Sequence, residues 1–575
     1  MTRPMITKKL IGFHLLVLCL LIVCAFFNAQ HGSFKMDDHD TFKDPKIINP
    51  SYLKYNWIPE PNRYLKVSVA SEESSYRPVT NSILAIMYQS FKNQTVYYHV
   101  ISLLLLIMAS SFFYGLMVLL SKEGTLAFLS AALFALHPIN GLAVNYVVAY
   151  AYVLQFAVAM ICMFSFARSL DSNRPQVTIG VSIVFYLMAM GVHETSMVLP
   201  IYLFCMAWLV GRKNFLQSFL RTLPFFVILT SYLVFRLHYA SLKSGVLEKF
   251  SDFHMSVVQF LATYVKLVAW YLSQLFFPDG VVLMWACQIV EDHIYLWLLL
   301  GIALIAVGLI GLIKFGRSLY SWAIVIFAVG FVPIMGACLF RPTTGLVMEP
   351  HWMFIAGTGF FILLAEALRQ VIAYKQWIGI ILIAFLMTGY IRLTHLYNEL
   401  WRDEKTYCLY WLAKVPSFKT TEFYLAYAFM LDKQYGHARH YLNSAKEGVF
   451  NDWQIYANLG FMDSEEGRYD GAVENYKTAL VFNPNAAEVY NNLALVYEEM
   501  GKLQEAVRSN QEALSLNRML VEPRLNLARI ALVNHDFKTA EKLYQENLTI
   551  FPQESRSLQL FLMAILDSGD IARAE

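Results

Sequence analysis

The stretch 487-AEVYNNLALVYEEMGKLQEAVRSNQEALSLN-517 sets small and apolar residues at helical spacing on both sides of a central glycine. The same pattern recurs before and after this stretch with a period of 34 residues. The columns that carry the period are Ala438, Ala472, Ala506, Ala540 and Ala574; Leu425, Leu459, Leu493, Leu527 and Phe561; and Tyr435, Tyr469, Leu503, Phe537 and Ile571. A helix pair of this kind buries its apolar face only against the next pair, so the period predicts a stacked array of helix pairs.

Each unit resembles the tetratricopeptide repeat, because it has 34 residues and small side chains where two helices would cross. The glycines of the inter-helix turn and the prolines at the ends of repeats are Gly467, Gly501, Gly569, Pro484 and Pro552. About 4.5 repeats are expected over residues 419–575, after a linker at 397–418. Such a solenoid has a concave groove that suits an extended peptide or a protein surface, and the alternative use is a dimerisation or spacer arm.

The composition of the whole chain is that of a membrane protein. Its 575 residues are 57% hydrophobic and 15% charged, with a mean hydropathy of +0.46, whereas soluble domains carry about 25% charged residues. The net charge of +3 does not indicate a nucleic-acid partner, and the seven cysteines show neither a CxxC motif nor a disulfide framework. The long apolar runs are confined to residues 1–396, which we expect to form a polytopic membrane domain.

The apolar runs predict 11 or 12 membrane spans, since one span takes about 20 helical residues. They are residues 10–27, 97–120, 125–137, 142–167, 177–192, 195–211, 222–238, 255–277, 294–313, 319–340, 352–370 and 376–396. The first run follows basic residues and is longer than the apolar core of a signal peptide, so a retained anchor is preferred to a cleaved signal peptide.

The charges between the spans predict their orientation. We call the polar segments between apolar runs breaks. Breaks that are rich in Lys and Arg are expected in the cytoplasm, and they lie at residues 168–174, 212–221, 314–317 and 369–375. The loops that then face outward are residues 28–96, 138–141, 193–194 and 341–351. The acidic break 278–293 has no Lys or Arg and also prefers the outside, so the run 255–277 is expected to be a re-entrant or interfacial helix. This leaves 11 spans and places the repeats outside, whereas a full crossing by 255–277 would place them in the cytoplasm.

The first outward loop, residues 28–96, opens with the acidic stretch 34-FKMDDHDTFKDPKIINP-50. Asp37 and Asp38 follow the first span by about ten residues and are therefore expected near the membrane surface. Paired carboxylates there suit a general base with an orienting partner. With Asp40 they also suit a site for Mg²⁺ or Mn²⁺, which prefer oxygen ligands. The alternative is a solvated acidic stretch that caps a short helix.

Other charged residues occur at the outward ends of spans. Arg77 precedes a proline in 76-YRPVTNSILAIMYQSF-91 and is placed to offer its guanidinium to a phosphate, with an interfacial snorkelling arginine as the alternative. His137 ends a short span in 131-AALFALHPINGLAVNYV-147, where a packed interfacial histidine is the alternative. Glu194 and Glu349 lie at span ends, where an ionisable side chain is costly enough to suggest a role.

Taken in order, the motifs FxxDD…NP, YRP, YH, ALHP, HET…LP and E-x-x-x-F resemble the transmembrane, tetratricopeptide-repeat O-mannosyltransferases and their bacterial relatives, within the C-type glycosyltransferase superfamily. The resemblance extends over nearly the whole chain. It implies an all-α fold, with a polytopic membrane helix bundle followed by a tetratricopeptide-repeat α-solenoid. It also implies that acidic residues of the first outward loop are catalytic, which points to Asp37 and Asp38.

The resemblance further implies the substrates. The donor would be a polyprenyl-phosphate-linked sugar, and the acceptor would be a protein outside the cytosol. Members of the family usually have Glu-Arg where this chain has Glu349-Pro350. The donor phosphate is therefore expected to bind either Arg341, eight residues upstream, or Arg77 alone.

These observations predict a membrane glycosyltransferase that moves a sugar from a polyprenyl-phosphate donor to an extracytoplasmic acceptor selected by the repeats. Asp37 or Asp38 would accept the proton of the acceptor hydroxyl. The residues expected to bind donor phosphate or substrate are Arg77, His137, Glu194, Arg341 and Glu349. No organic cofactor is expected, and a divalent metal ion is the one open alternative.

The expected location is a bacterial inner membrane, or the endoplasmic reticulum membrane of a eukaryote, with the repeats periplasmic or luminal. Two other functions stay open. One is a ligase or polymerase of lipid-linked glycans, which would share the membrane half but has no evident use for a peptide groove. The other is a non-enzymatic, membrane-anchored scaffold, for which this many spans are more than an anchor needs.

We expect the repeats to lie on the same side of the membrane as Asp37, because the acidic break 278–293 favours the outside and the break at 314–317 favours the cytoplasm. Protease added to sealed, right-side-out vesicles should therefore digest the repeats. Protection of the repeats in those vesicles, with digestion in inverted ones, would contradict this topology.

Overall fold

The computed structural model describes residues 7–36, 38, 41–42, 45–48, 50, 56–57, 77–172, 174–239, 255–339, 345–446, 452–550 and 555–567. These residues form two compact units. The first unit contains the described residues up to Phe418, and the second begins at Lys419.

The first unit is a bundle of helices. Its α-helices are Lys8–Phe26, Pro45–Ile48, Pro78–Phe91, Thr95–Ser121, Gly124–Leu136, Gly141–Asn145, Tyr150–Leu170, Pro175–Val192, Leu199–Cys205, Phe215–Tyr239, Val257–Phe276, Ile294–Phe315, Leu319–Gly330, Val332–Ala337, Phe354–Tyr374, Gln376–Leu400 and Glu404–Lys414. Short 3-10 helices are Phe27–His31, Pro138–Asn140, Glu194–Val198 and Pro350–Met353, and Met206–Val210 is a π-helix. The strands Trp285–Gln288 and Gly345–Met348 form one antiparallel pair.

Nine helices within the described ranges are long and apolar enough to cross a membrane. Two further apolar elements are shorter or bent. Gly124–Leu136 and Pro138–Asn145 meet at a bend of 53°, where Pro138 cannot donate a helical hydrogen bond, and Glu194–Val210 has fewer residues than a standard span. The first unit is therefore a multi-pass membrane bundle, as the apolar runs predict.

The spans differ in how deeply they lie in the bundle. Tyr150–Leu170 is at its centre, with 83% of its apolar window buried, whereas Ile294–Phe315 has 0% buried and lies at the periphery. Close approach of two inner helices depends on glycine. A Cβ atom at Gly330 would clash with Ala356, and one at Gly359 would clash with the Ala323 carbonyl oxygen. Small residues at these crossings let the helices pack backbone against backbone.

Buried amide side chains join the first span, the last span and the bent element. Asn398 donates to the Ala25 carbonyl at 3.1 Å and to Asn28 Oδ1 at 2.9 Å. Asn145 in turn donates to Asn398 Oδ1 at 2.6 Å. Because lipid offers no hydrogen-bond partner, these groups must satisfy one another, and they thereby hold three distant parts of the chain together.

The helix Val257–Phe276 packs along the two breaks that form the strand pair. Thr263 Oγ1 accepts the Val290 amide at 3.0 Å, and the Tyr271 hydroxyl donates to the Glu349 carbonyl at 2.8 Å. This helix is not one of the nine long apolar helices. The fold is otherwise all-α, as predicted, and the strand pair is a feature that the prediction did not include.

Residues 397–418, predicted as a linker, belong to the first unit. They complete the helix Gln376–Leu400 and form Glu404–Lys414, which we call the closing helix. Three large aromatic side chains in this segment, Trp401, Tyr407 and Trp411, are fully buried. Burial of such aromatic area attaches the segment to the bundle.

The second unit is a stack of helix pairs. Its helices are Lys419–Leu431, Tyr435–Ala445, Asp452–Glu465, Tyr469–Phe482, Ala487–Glu499, Leu503–Leu516, Glu522–Val533, Phe537–Ile550 and Ser555–Asp567. The alanines of the first column, Ala438, Ala472, Ala506 and Ala540, are all completely buried. Small side chains there let successive helices approach closely. The predicted tetratricopeptide-type solenoid is confirmed.

The turns inside the helix pairs share one backbone conformation. Gly467 and Gly501 have φ of 74° and 73°, and the equivalent residues Lys433 and His535 have φ of 57° and 58°. A left-handed conformation costs a residue with a Cβ atom about 1–2 kcal/mol, so glycine favours this turn without being required for it. The repeat geometry therefore extends beyond the two turns that glycine marks.

Candidate functional site

Several breaks that are distant in sequence meet at one face of the first unit. The Thr80 hydroxyl donates to the Val192 carbonyl at 2.9 Å, and the Tyr150 hydroxyl donates to the Thr80 carbonyl. These contacts join the start of the helix Pro78–Phe91 to the end of one span and the start of another. The outward loops that the charge pattern predicts are therefore neighbours in space.

Arg77 and Glu194 form an ion pair at this face. Arg77 Nε lies 3.0 Å from Glu194 Oε2, and one terminal nitrogen, Nη2, lies 2.7 Å from Oε1, so the contact is bidentate. Arg77 immediately precedes Pro78, which begins a helix, and its side chain therefore projects from the helix N-terminal end. Burial alone would lower the pKa of Arg77, but the adjacent Glu194 carboxylate more than offsets this effect and raises it.

Two histidines and a tyrosine lie beside this ion pair. The Tyr152 ring is 4.7 Å from the His193 ring and 3.8 Å from the His351 ring, measured between centroids. His351 Nε2 is 2.7 Å from Glu349 Oε2. Arg77, Tyr152 and Glu349 are also close enough to interact electrostatically. We call this set the Arg77 cluster, and its members are Arg77, Tyr152, His193, Glu194, Glu349 and His351.

His193 is neutral within the cluster. Burial and the positive charge of Arg77 lower the pKa of His193 to about 3. Its Nδ1 atom accepts the Thr195 amide at 3.2 Å, so the ring proton belongs on Nε2, which has no hydrogen-bond partner among the described residues. A cavity of about 20 Å³ is bordered by Tyr152, Gln155, Thr195 and His351 and has room for about one water molecule. The cluster thus contains a buried polar atom, His193 Nε2, that has no hydrogen-bond partner among the described residues.

The first outward loop also contains a buried charged group. Asp38 is completely buried and accepts two backbone amides, from Lys35 at 3.0 Å and from Val148 at 2.9 Å. Lys35 is likewise completely buried, and its Nζ donates to the Ser33 carbonyl at 2.9 Å. The Met36 amide donates to Glu404 Oε1 of the closing helix at 2.9 Å. The loop is therefore attached to the bundle rather than solvated along this stretch.

The predicted site residues occupy different places. Arg77, Glu194 and Glu349 come together in the Arg77 cluster, and Asp38 lies in the first outward loop. His137 is completely buried, packs against the rings of Phe361 and Tyr390, and accepts the Ile139 amide at 3.2 Å. This environment fits the alternative interpretation of His137 as a packed histidine rather than a substrate-binding one. Asp37, Asp40 and Arg341 lie outside the described residues.

No group of three or more His, Cys, Asp or Glu side chains is arranged to hold a metal ion within the part of the chain that the structure describes. Two of the three aspartates proposed as metal ligands, Asp37 and Asp40, lie outside that part. All seven cysteines are free thiols, as their spacing indicates.

Comparison with known proteins identifies the repeats. Residues 463–501 match a family model described as TPR repeat, and residues 487–519 match one described as Tetratricopeptide repeat. The chain carries tetratricopeptide repeats.

A protein from Caenorhabditis elegans named Protein O-mannosyl-transferase is a remote relative. It is 24% identical to this chain over 163 residues, which are 28% of this chain and 24% of the relative. The chain therefore matches about a quarter of the length of that relative.

Solved structures with similarity include pilF of Pseudomonas aeruginosa, with 23% identity, a TM-score of 0.27, and coverage of 30% of this chain and 78% of that one. Another is YrrB, described as a TPR protein with an unusual peptide-binding site, with 16% identity, a TM-score of 0.24, and coverage of 34% of this chain and 96% of that one. TM-scores this low do not establish a shared fold for the whole chain.

Sequence reasoning missed several residues of this face. His351 follows Glu349 by only two positions and could have been found from that spacing. Tyr152 lies in an apolar span with nothing to distinguish it from a packing residue, and Glu404 lies in a segment that reads as a linker. Both are brought to the face only by the folding of the bundle.

Lys35 should make the stability of the first unit depend on pH. Burial lowers the pKa of Lys35 to about 8 from an ordinary value of 10.5, although Asp38, Glu404 and Asp403 oppose this shift. Below pH 8 the amine is charged in both the folded and unfolded states, and folding must bury that charge. Between pH 8 and 10.5 only the unfolded state holds the proton, so stability contributed by Lys35 rises as the pH rises.

Wild type should therefore gain stability relative to Lys35→Met between pH 8 and 10.5, by about 1–3 kcal/mol. Thermal unfolding of the solubilised protein, recorded at several pH values across this range, measures the difference in stability. Lys122→Met, at an exposed position, is the control and should show no such trend. A constant difference between wild type and Lys35→Met at every pH would contradict the assignment.

Proposed function

We propose that this protein is a membrane glycosyltransferase of the C-type class, which transfers a sugar from a polyprenyl-phosphate donor to a protein acceptor. The remote relative named as a protein O-mannosyl-transferase supports the reaction class. The tetratricopeptide repeats support a protein or peptide acceptor. The observation that carries the proposal is the Arg77 cluster, because it collects an arginine and two glutamates from separate breaks at one face of a membrane bundle.

Arg77 is suited to bind the donor phosphate. Its bidentate contact uses Nε and Nη2, and Nη1 is left without a partner among the described residues. Glu194 would thus orient the guanidinium while Nη1 approaches the phosphate. The tyrosine and histidines beside it offer further polar atoms at the same depth. Arg341, which the structure does not describe, remains the alternative phosphate ligand.

The two aspartates of the first outward loop are suited to different tasks. Asp38 is buried and both of its oxygens already accept backbone amides, which favours an orienting role. We therefore propose Asp37, its neighbour in the chain, as the general base. This division of roles rests on Asp38 alone, since Asp37 lies outside the described residues.

The proposed reaction is a direct displacement at the anomeric carbon. The acceptor hydroxyl oxygen forms a bond to that carbon, while the bond from the carbon to the phosphate oxygen breaks. Asp37 accepts the hydroxyl proton, and the polyprenyl phosphate leaves with the bonding electron pair. Arg77 stabilises the negative charge that develops on this phosphate.

The repeats would select the acceptor. We propose that they lie on the same side of the membrane as the first outward loop, because the closing helix that leads to them contacts that loop through Glu404 and Met36. The candidate carboxylates and cations of the site all precede the repeats in sequence. A groove that binds the acceptor need not contribute to the chemistry.

Asp37→Asn should abolish transfer, because an amide cannot accept the hydroxyl proton, and loss of a general base costs about 10²–10⁴ in rate. Purified protein in lipid nanodiscs, supplied with polyprenyl-phosphate mannose and a Ser/Thr-rich acceptor peptide, measures the rate. Asp171→Asn is the control, since Asp171 is exposed and, among the described residues, forms an ion pair only with Lys122.

Near wild-type turnover by Asp37→Asn would exclude Asp37 as the base. Transfer to a lipid-linked glycan instead of the peptide would favour the ligase. Absence of turnover with every lipid-linked donor would favour the scaffold. Activity that is lost with a chelator and restored by Mg²⁺ or Mn²⁺ would assign a metal role to the acidic loop.

A variant that ends at Phe418 should separate chemistry from acceptor selection, because it retains the complete first unit. We expect it to release mannose from the lipid donor to water at a rate close to that of the full chain, and to lose transfer to the native acceptor. Size-exclusion chromatography checks that it is folded. Equal loss of both reactions in a folded variant would make the repeats part of the active site.

A further inference from the structure

The first outward loop is held in place by three different parts of the first unit. The Gly32 carbonyl oxygen lies 3.2 Å from His99 Nε2 in the span Thr95–Ser121. The Met36 amide donates to Glu404 of the closing helix, and Asp38 accepts the Val148 amide. These contacts are spaced along only seven residues of chain, so the course of the loop is closely determined.

The backbone at Met36 is in an unfavourable conformation. Its φ is 51°, in the left-handed region that residues with a Cβ atom rarely adopt. Such strain persists only where surrounding contacts compensate for it, and it is concentrated at functional sites. The contact made by the Met36 amide itself is the hydrogen bond to Glu404, at 2.9 Å. Glu404 is therefore placed to stabilise this conformation.

The charge of Glu404 also has a partner in the loop. Lys35 is completely buried, and Asp38, Asp403 and Glu404 are the carboxylates whose charges act on its ammonium group. Glu404 itself is 7% exposed, so its charge is weakly screened by solvent. Alanine at position 404 would remove both the amide acceptor and part of the charge that balances Lys35, whereas glutamine would remove only the charge.

We propose that Glu404 is a positioning residue for the first outward loop, holding Met36 in its left-handed conformation by accepting its amide from the closing helix. The residue that follows Met36 is Asp37, the proposed base. Glu404 acts on the loop from outside it, 368 residues further along the chain. The effect on transfer rests on the proposed function, whereas the restraint on the loop does not.

Hydrogen exchange of the full-length protein in nanodiscs tests the restraint directly. In Glu404→Ala, amide exchange in the peptide that covers residues 33–38 should rise about tenfold or more, because a hydrogen bond to a charged acceptor is lost. Peptides from the central span Tyr150–Leu170 should be unchanged. Glu404→Gln keeps an acceptor oxygen and should give an intermediate rate, and Glu399→Ala, at an exposed position five residues earlier, should behave as wild type.

The kinetics of the same variants test the consequence for transfer. With polyprenyl-phosphate mannose as the donor, Glu404→Ala should lower kcat about tenfold or more and leave the KM for the donor nearly unchanged, since the phosphate would bind at the Arg77 cluster. Glu404→Gln should restore part of kcat. A general loss of structure would not produce this separation of kcat from KM.

Unchanged exchange at residues 33–38 in folded Glu404→Ala would overturn the proposal. So would a rise in KM as large as the fall in kcat. If Glu404→Ala fails to fold, the proposal is judged by Glu404→Gln, and wild-type exchange and wild-type kcat in that variant would overturn it. If wild type transfers no sugar from any donor, the proposed function fails, and the exchange rates alone decide the role of Glu404.

Discussion

The ion pair between Arg77 and Glu194 organises one face of the membrane unit. Both residues lie at the ends of helices in a bundle of apolar spans, where an unpaired charge is costly. Their bidentate contact joins the helix Pro78–Phe91 to the end of the span Pro175–Val192, and the hydrogen bond from Thr80 to Val192 lies at the same junction. Tyr152 and the two histidines then pack beside the pair. Under the proposed function, the guanidinium is already oriented by a carboxylate before the donor phosphate binds, so its geometry need not be assembled at that moment.

Asp38 shows how its surroundings can set the task of a carboxylate. Asp38 is drawn into the bundle, where the amides of Lys35 and Val148 occupy its oxygens. The same stretch contains a buried lysine and a methionine in the left-handed region. Such features are expensive for a surface loop and are expected where a loop must keep one conformation. Glu404 connects this requirement to the closing helix.

The two units are stabilised by different means. In the membrane unit, glycines allow close helix packing and buried asparagines satisfy one another, since lipid supplies no hydrogen bonds. In the repeats, each helix pair covers the apolar face of its neighbour, and the hydrophobic effect in water provides the stability. This difference is visible in the residues: Gly330 and Asn398 serve the first unit, whereas the regularly spaced alanines serve the second.

The sequence by itself determined the membrane bundle, the 34-residue repeats and the candidate role of Arg77, Glu194 and Glu349. Apolar run length, repeat period and the cost of a charge at a span end are local properties, and each can be read from a short window. Only the tertiary structure decided that these three residues share one cluster, that His137 is buried against the rings of Phe361 and Tyr390, and that Glu404 reaches Met36. Those outcomes depend on which distant elements lie side by side, and in the membrane they follow from many small-residue contacts and paired polar groups that leave no periodic pattern in the sequence.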